Sequence, residues 1–264
     1  MIAPRPSSVV ALLALLAAAP SAPRAAEPLE VDLERDGTLT LAAGGLAGAL
    51  ALWAARLTPD TCRFCEPNRF DRGARSALRW DDTGRAALAS DVVANGVLPG
   101  AAVAHALVAA WGGGGARQAG EDLLAVTEAV LLSVDLNEIV KSGAGRIRPS
   151  AWAEGRLHGT DSNRSFYSGH TALAFSLASA AGTVSTIRGY RSAPWVWAVG
   201  MTLAAGVGWL RVGADAHWAT DVLAGAAVGG AVGFAVPWTL HRPRGGREPA
   251  VQLLPAPGGF ALRF

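Results

Sequence analysis

Lysine is all but absent from this 264-residue chain: among 23 basic residues, Lys141 alone is not an arginine. A lysine-rich basic arm, the usual electrostatic handle for nucleic acid, is missing, and the net charge is only +2. No nucleic-acid partner is therefore expected. Cysteine is nearly as scarce, with Cys62 and Cys65 the whole complement. Two cysteines cannot build a disulfide framework, and this lone C-x-x-C has no further ligands at zinc-site spacing. No βαβ pattern surrounds it, which argues against a thioredoxin-like role. The pair reads as a local disulfide in an oxidising compartment and as two thiols otherwise. No metal site and no internal repeat is visible.

What is present is apolar sequence. Hydrophobic residues make up 51% of the chain, and the mean hydropathy is +0.28. Residues 1–26 carry Arg5, an apolar run over 9–19 and then small residues, the parts of an export signal or an uncleaved anchor. Six further stretches read as helices: 39–57, 86–111, 121–140, 169–189, 193–210 and 219–240. The expected fold is all-α, a six-helix transmembrane bundle. Gly225, Gly229, Gly230 and Gly233 make the last helix able to pack closely. Glu121, Glu128 and Asp135, spaced by seven, share one face of the third. Each would cost about 2.5–3.5 kcal/mol facing lipid near the bilayer centre, so this face points inward as polar packing. Residues 27–85 form an N-terminal helix and an arginine-rich loop holding Cys62 and Cys65, with a short amphipathic helix. Residues 86–241 form the helical bundle. The polar tail, 242–264, ends in a short β-hairpin turning at Gly258-Gly259.

Three clusters carry the chemistry. The first runs Lys141-Ser-Gly-Ala-Gly-Arg146-Ile-Arg148-Pro149 and supplies three cations, with Pro149 forcing Arg148 into an extended conformation. Alone, it equals a basic loop flanking a membrane helix. The second, Ser165-Phe-Tyr-Ser168-Gly169-His170-Thr, puts a hydroxyl and backbone N–H groups at a helix N-terminus, a natural anion site. An ordinary N-cap followed by a surface histidine would look the same. The third spans 211–221, where Arg211 can fork onto an anion and His217 and Asp221 are four apart. A carboxylate on one imidazole nitrogen leaves the other basic and aimed outward. If helices three to six alternate direction, all three clusters meet on one face. Together they describe a phosphate-handling site with an acid and a nucleophile.

The pattern Lys-x6-Arg-Pro, then Ser-Gly-His, then Arg-x5-His-x3-Asp resembles the three-part motif of the type 2 phosphatidic acid phosphatase family. That superfamily also holds bacterial acid phosphatases and vanadium haloperoxidases. The match covers 141–221, with two departures: Tyr167 where proline is usual and Leu210 where serine is usual. The resemblance implies a metal-independent phosphoric monoester hydrolase needing no cofactor. In it His217 attacks phosphorus to form a phosphohistidine and Asp221 stabilises the imidazolium, while His170 protonates the leaving alcohol and then activates water. Lys141, Arg148, Ser168, Gly169 and Arg211 would bind the phosphate, with Arg146 in support and Asp161, Asn163 and Arg164 at the rim.

The expected partners are a membrane and a lipid phosphate or pyrophosphate, of the phosphatidic acid, phosphatidylglycerophosphate or polyprenyl pyrophosphate kind. The alternatives are a soluble periplasmic acid phosphatase on small esters, a vanadate-dependent haloperoxidase and, last, a non-catalytic membrane scaffold. His105, His158 and His241 match no motif position and read as packing or surface residues; Asp215 reads as a loop residue. A disulfide and the resemblance place the site outside the cell membrane, facing the periplasm, whereas the arginines of 58–85 lean the other way by the positive-inside rule.

Overall fold

The computed structural model describes residues 26–111, 113–243, 252–256 and 259–263. The export signal or anchor expected at the N-terminus lies outside them. Helix α1, Leu33–Leu57, begins before position 39 because the Asp32 carboxylate accepts the N–H groups of Glu34 and Arg35. Asn68 caps α2, Arg69–Leu78, in the same way. Asp82 caps α3, Thr83–Val92, which continues through a π turn, Val93–Val97, into α4, Leu98–Trp111. Helix α5, Gly115–Ala144, stops at Gly145, whose φ of 62° is the left-handed conformation glycine tolerates at a helix end. A short α6, Pro149–Ala153, starts on proline. Then come α7, Gly169–Ile187, α8, Ala193–Gly213, and α9, Ala219–Val236, the last extended by a π turn, Pro237–His241. Strands β1, Gln252–Ala256, and β2, Gly259–Arg263, pair antiparallel, and Gly259, expected in the turn, already pairs with Ala256.

Helix α7 sits at the centre, packed against α5, α8 and α9. Its seam with α9 is built on three glycines: a Cβ at Gly225, Gly229 or Gly233 would come within 2.7, 2.3 and 2.3 Å of the carbonyl oxygens of Ser168, Ala172 and Ser176. Gly230, named with them from the sequence, would meet nothing within 4 Å. Its carbonyl instead accepts the Ser179 hydroxyl at 2.9 Å.

Among the described residues, four helical segments are long and apolar enough to cross a membrane: Leu33–Leu57, Thr83–Trp111, Ala193–Gly213 and Ala219–His241. Their outer faces expose Leu41, Leu52, Val108 and Trp111, as lipid contact requires. Helices α5 and α7 are more polar because they are interior. The acidic face of α5 points inward as expected: Glu128 accepts from His241 at 2.7 Å and Glu121 from Arg188 at 2.8 Å. Asp135 is buried with neither carboxylate oxygen hydrogen-bonded.

The alternation of helices brings all three clusters to one end. At that end Arg63 N–H bonds Gly145 O and Trp80 N–H bonds Gly213 O. At the other, Glu27 N–H reaches Arg188 O and Glu30 N–H reaches His241 O.

Candidate active site

His217 lies in the turn before α9 rather than on it, with Trp218 in the N-cap position and Asp221 in the first helical turn. Sharing a helix face is therefore not what joins them. The Asp221 carboxylate turns back to accept the Trp218 N–H at 2.9 Å, which folds the turn over the start of the helix. That leaves His217 Nδ1 3.9 Å from Asp221 Oδ2, an electrostatic contact too long for a hydrogen bond. Nδ1 instead lies 2.8 Å from the carbonyl oxygen of Ser165. A carbonyl can only accept, so Nδ1 carries the proton and Nε2 carries the lone pair. The Ser165 hydroxyl donates to Asp221 at 2.6 Å and couples the two partners of the imidazole.

His217 is 2% exposed. Burial pushes its pKa down to about 3, and Arg148, Lys141 and Arg211 push the same way while Asp221 opposes them. At neutral pH the ring is thus an uncharged base among cations.

Those cations come from three elements. Lys141 occupies the last turn of α5, buried against the start of α7. A Cβ at Gly169 would fall 3.2 Å from its Nζ and 2.8 Å from Asn137 Oδ1, so glycine is what lets the α7 N-terminus come this close. Arg148, extended at φ −73° and ψ 151° before Pro149, donates to the carbonyls of Asp161 at 2.9 Å and Ala216 at 3.2 Å. The second bond sets its guanidinium beside the His217 turn. Arg211, near the end of α8, donates to Ser90 Oγ at 3.1 Å and Asp91 Oδ1 at 3.2 Å, while its buried Nε has no hydrogen-bond partner.

Asp91 also lies 2.9 Å from His170 Nε2 and so joins the second cluster to the third. A half-exposed carboxylate is the anion that Arg211 and His170 share here. The sequence signal for it was an acid inside an otherwise apolar helix, which in a membrane span marks function.

Two further placements differ from the sequence reading. Ser168 stands at the N-cap of α7 but does not cap it; it is fully buried and accepts the Thr171 hydroxyl at 2.9 Å. Asn163, expected at the rim, is fully buried and pins the Pro59 and Asp60 carbonyls at 3.2 and 2.8 Å. Asp161 is exposed beside Arg148, and Arg164 pairs with Glu138. Arg146 bridges Asp221 and Asp71. Asp215 is bound by Arg75 and Arg79, the former at 2.6 Å, and so is structural. His241 is buried on Glu128, His105 meets Ser192 at 2.8 Å and His158 is exposed. Tyr167, in the place of proline, is buried, and its carbonyl accepts from Asn137 at 2.9 Å. Cys62 and Cys65 are disulfide-bonded.

A cavity of 220 Å³ opens beside this cluster between α5, α7 and the π turn at Asn95. His170, Lys141 and Gly169 are among its lining residues, and Val134, Ala172 and Leu173 add apolar surface. Fold and site together define a helical membrane bundle in which a buried, tautomer-fixed histidine lies among Lys141, Arg148 and Arg211.

Residues 122–244 match the family model of the PAP2 superfamily. A 96-residue stretch is 40% identical to the lipid A 1-phosphatase of Porphyromonas gingivalis. The match spans 36% of this chain and only 20% of that protein. The crystal structure of a transmembrane PAP2 type phosphatidylglycerolphosphate phosphatase from Bacillus subtilis aligns at a TM-score of 0.46 and 20% identity, over 76% of this chain and 93% of that one.

Proposed function

We propose that the chain is a membrane phosphatase that hydrolyses a lipid phosphate or pyrophosphate monoester through a phosphohistidine. The observation that carries this reading is His217, neutral and proton-bearing on Nδ1, surrounded by three cations that also act on His170.

In the first step Nε2 attacks the terminal phosphorus, the N–P bond forms and the P–O bond to the leaving group breaks, an alcohol from a monophosphate or a lipid monophosphate from a pyrophosphate. His170 gives the departing oxygen its proton. Asp221, 3.9 Å from Nδ1, stabilises the positive ring that results. In the second step His170 takes a proton from water, whose oxygen displaces His217 and releases inorganic phosphate. Lys141, Arg148, Arg211 and the N–H groups at the start of α7 hold the non-bridging oxygens, where fixed positive charge lowers the barrier most. Ser168 retains its own O–H to donate. These groups stabilise the charge by themselves, with neither metal nor cofactor assigned a role.

The mixed polar and apolar cavity beside His170 suits a leaving alcohol that continues into lipid. The disulfide at the motif end supports placing the site on the oxidising, periplasmic side of the cell membrane.

Phosphate release from detergent-solubilised protein, screened over lipid phosphates and pyrophosphates, tests the reading. His217→Ala is expected to abolish turnover by more than about a thousandfold. Equal release by wild type and His217→Ala would remove the proposal.

A further inference from the structure

Helix α2 lies outside the segment that matches the family model, yet it reaches the nucleophile. Asp71, in its first turn, is fully buried. Its carboxylate accepts the Thr220 N–H at 2.9 Å, the Thr220 hydroxyl at 2.8 Å, Arg146 Nη2 at 2.6 Å and Asn68 Nδ2 at 2.8 Å. Thr220 is in the first turn of α9, so Asp71 also supplies a cap from another helix. Arg146 Nη1 donates in turn to Asp221 Oδ1, whose other oxygen is held by Ser165 and Trp218. An unbroken chain of contacts runs Asp71, Arg146, Asp221, His217.

We propose that Asp71 is a positioning residue of the nucleophile: it divides the Arg146 charge between two carboxylates and so leaves Asp221 negative toward His217. One guanidinium between two buried carboxylates leaves the trio at −1. Without Asp71, Arg146 pairs with Asp221 alone, and the charge that must balance a phosphorylated, cationic His217 is cancelled when it is needed. Buried charges act strongly on one another because little water screens them. A purely mechanical clamp would need the hydrogen bonds but not this charge.

This inference rests on the phosphohistidine reading, and the test separates the two. Asp71→Asn, Asp71→Glu, Arg146→Gln and the double variant Asp71→Asn/Arg146→Gln are assayed for kcat and KM on the lipid phosphate that wild type turns over. Phosphoenzyme formation is followed by acid-labile, base-stable label in a single turnover.

Asp71→Asn should lower kcat and the rate of phosphoenzyme formation by about 10- to 100-fold, with KM moved less than about threefold. Asp71→Glu should recover most of the loss. In the Arg146→Gln background Asp71→Asn should add little, because the residue acts through that guanidinium. A wild-type kcat in Asp71→Asn, additive losses in the double variant, or no recovery in Asp71→Glu would each overturn the inference. If His217→Ala remains active, it is instead the phosphohistidine reading that fails.

Discussion

The His217 ring is shaped by what surrounds it more than by its motif neighbour. Ser165 O fixes the tautomer at 2.8 Å, and burial among cations lowers the pKa to about 3. An unfolded chain would bind a proton on this residue near pH 6.5. Between pH 6.5 and about 3 the unfolded state therefore holds the extra proton, and stability falls as pH falls through that window. The slope from this one group reaches at most about 1.4 kcal/mol per pH unit. Thermal unfolding in detergent should show wild type losing more stability than His217→Gln between pH 7 and pH 5. Parallel losses would mean that His217 is not held neutral. At this scale the motif residues were legible in the sequence because charged and nucleophilic side chains stand out in alanine-rich surroundings. Asp71 and Ser165 were not, since nothing in a loop of arginines or in a serine before an aromatic pair says which way a side chain turns.

At the scale of elements, the α7–α9 seam decides how close the second and third clusters come. Gly229 is the tight point: a Cβ there would lie 2.3 Å from the Ala172 carbonyl, whereas one at Gly230 would meet nothing within 4 Å. Overpacking of this kind typically costs about 1–3 kcal/mol. Gly229→Ala should lower both the melting temperature and phosphatase turnover, because α9 carries Thr220 and Asp221 at its start. Gly230→Ala should leave both near wild type. Equal behaviour of the two variants would mean that the seam does not set the site. The small-residue pattern was readable over 225–233, but the face that meets α7 was not. Four glycines within nine residues leave the packed stripe ambiguous until a partner helix is in place.

Across the whole molecule, the motif loops, the disulfide and α2 gather at one end of the bundle. The chain from Glu27 to Glu30, Arg188 and His241 meet at the other. Arg63 N–H to Gly145 O, at 2.8 Å, ties the disulfide turn to the loop that carries Arg146 and Arg148. If this end faces the periplasm, a membrane-impermeant maleimide should label Cys62 and Cys65 in intact cells only after an impermeant reductant. Labelling that requires permeabilised cells would put the site on the cytoplasmic side.

The sequence by itself determined the helical bundle and the three clusters. Helical length, hydropathy and fixed motif spacing are local properties, and each is written in consecutive residues. Tertiary structure alone decided which partner each charge takes. His217 bonds a backbone carbonyl 52 residues away, His170 and Arg211 share Asp91 from another helix, and Arg146 divides itself between Asp221 and Asp71. The reason is electrostatic: in a buried site every charge settles on its nearest counter-charge in space, and sequence order does not record that distance.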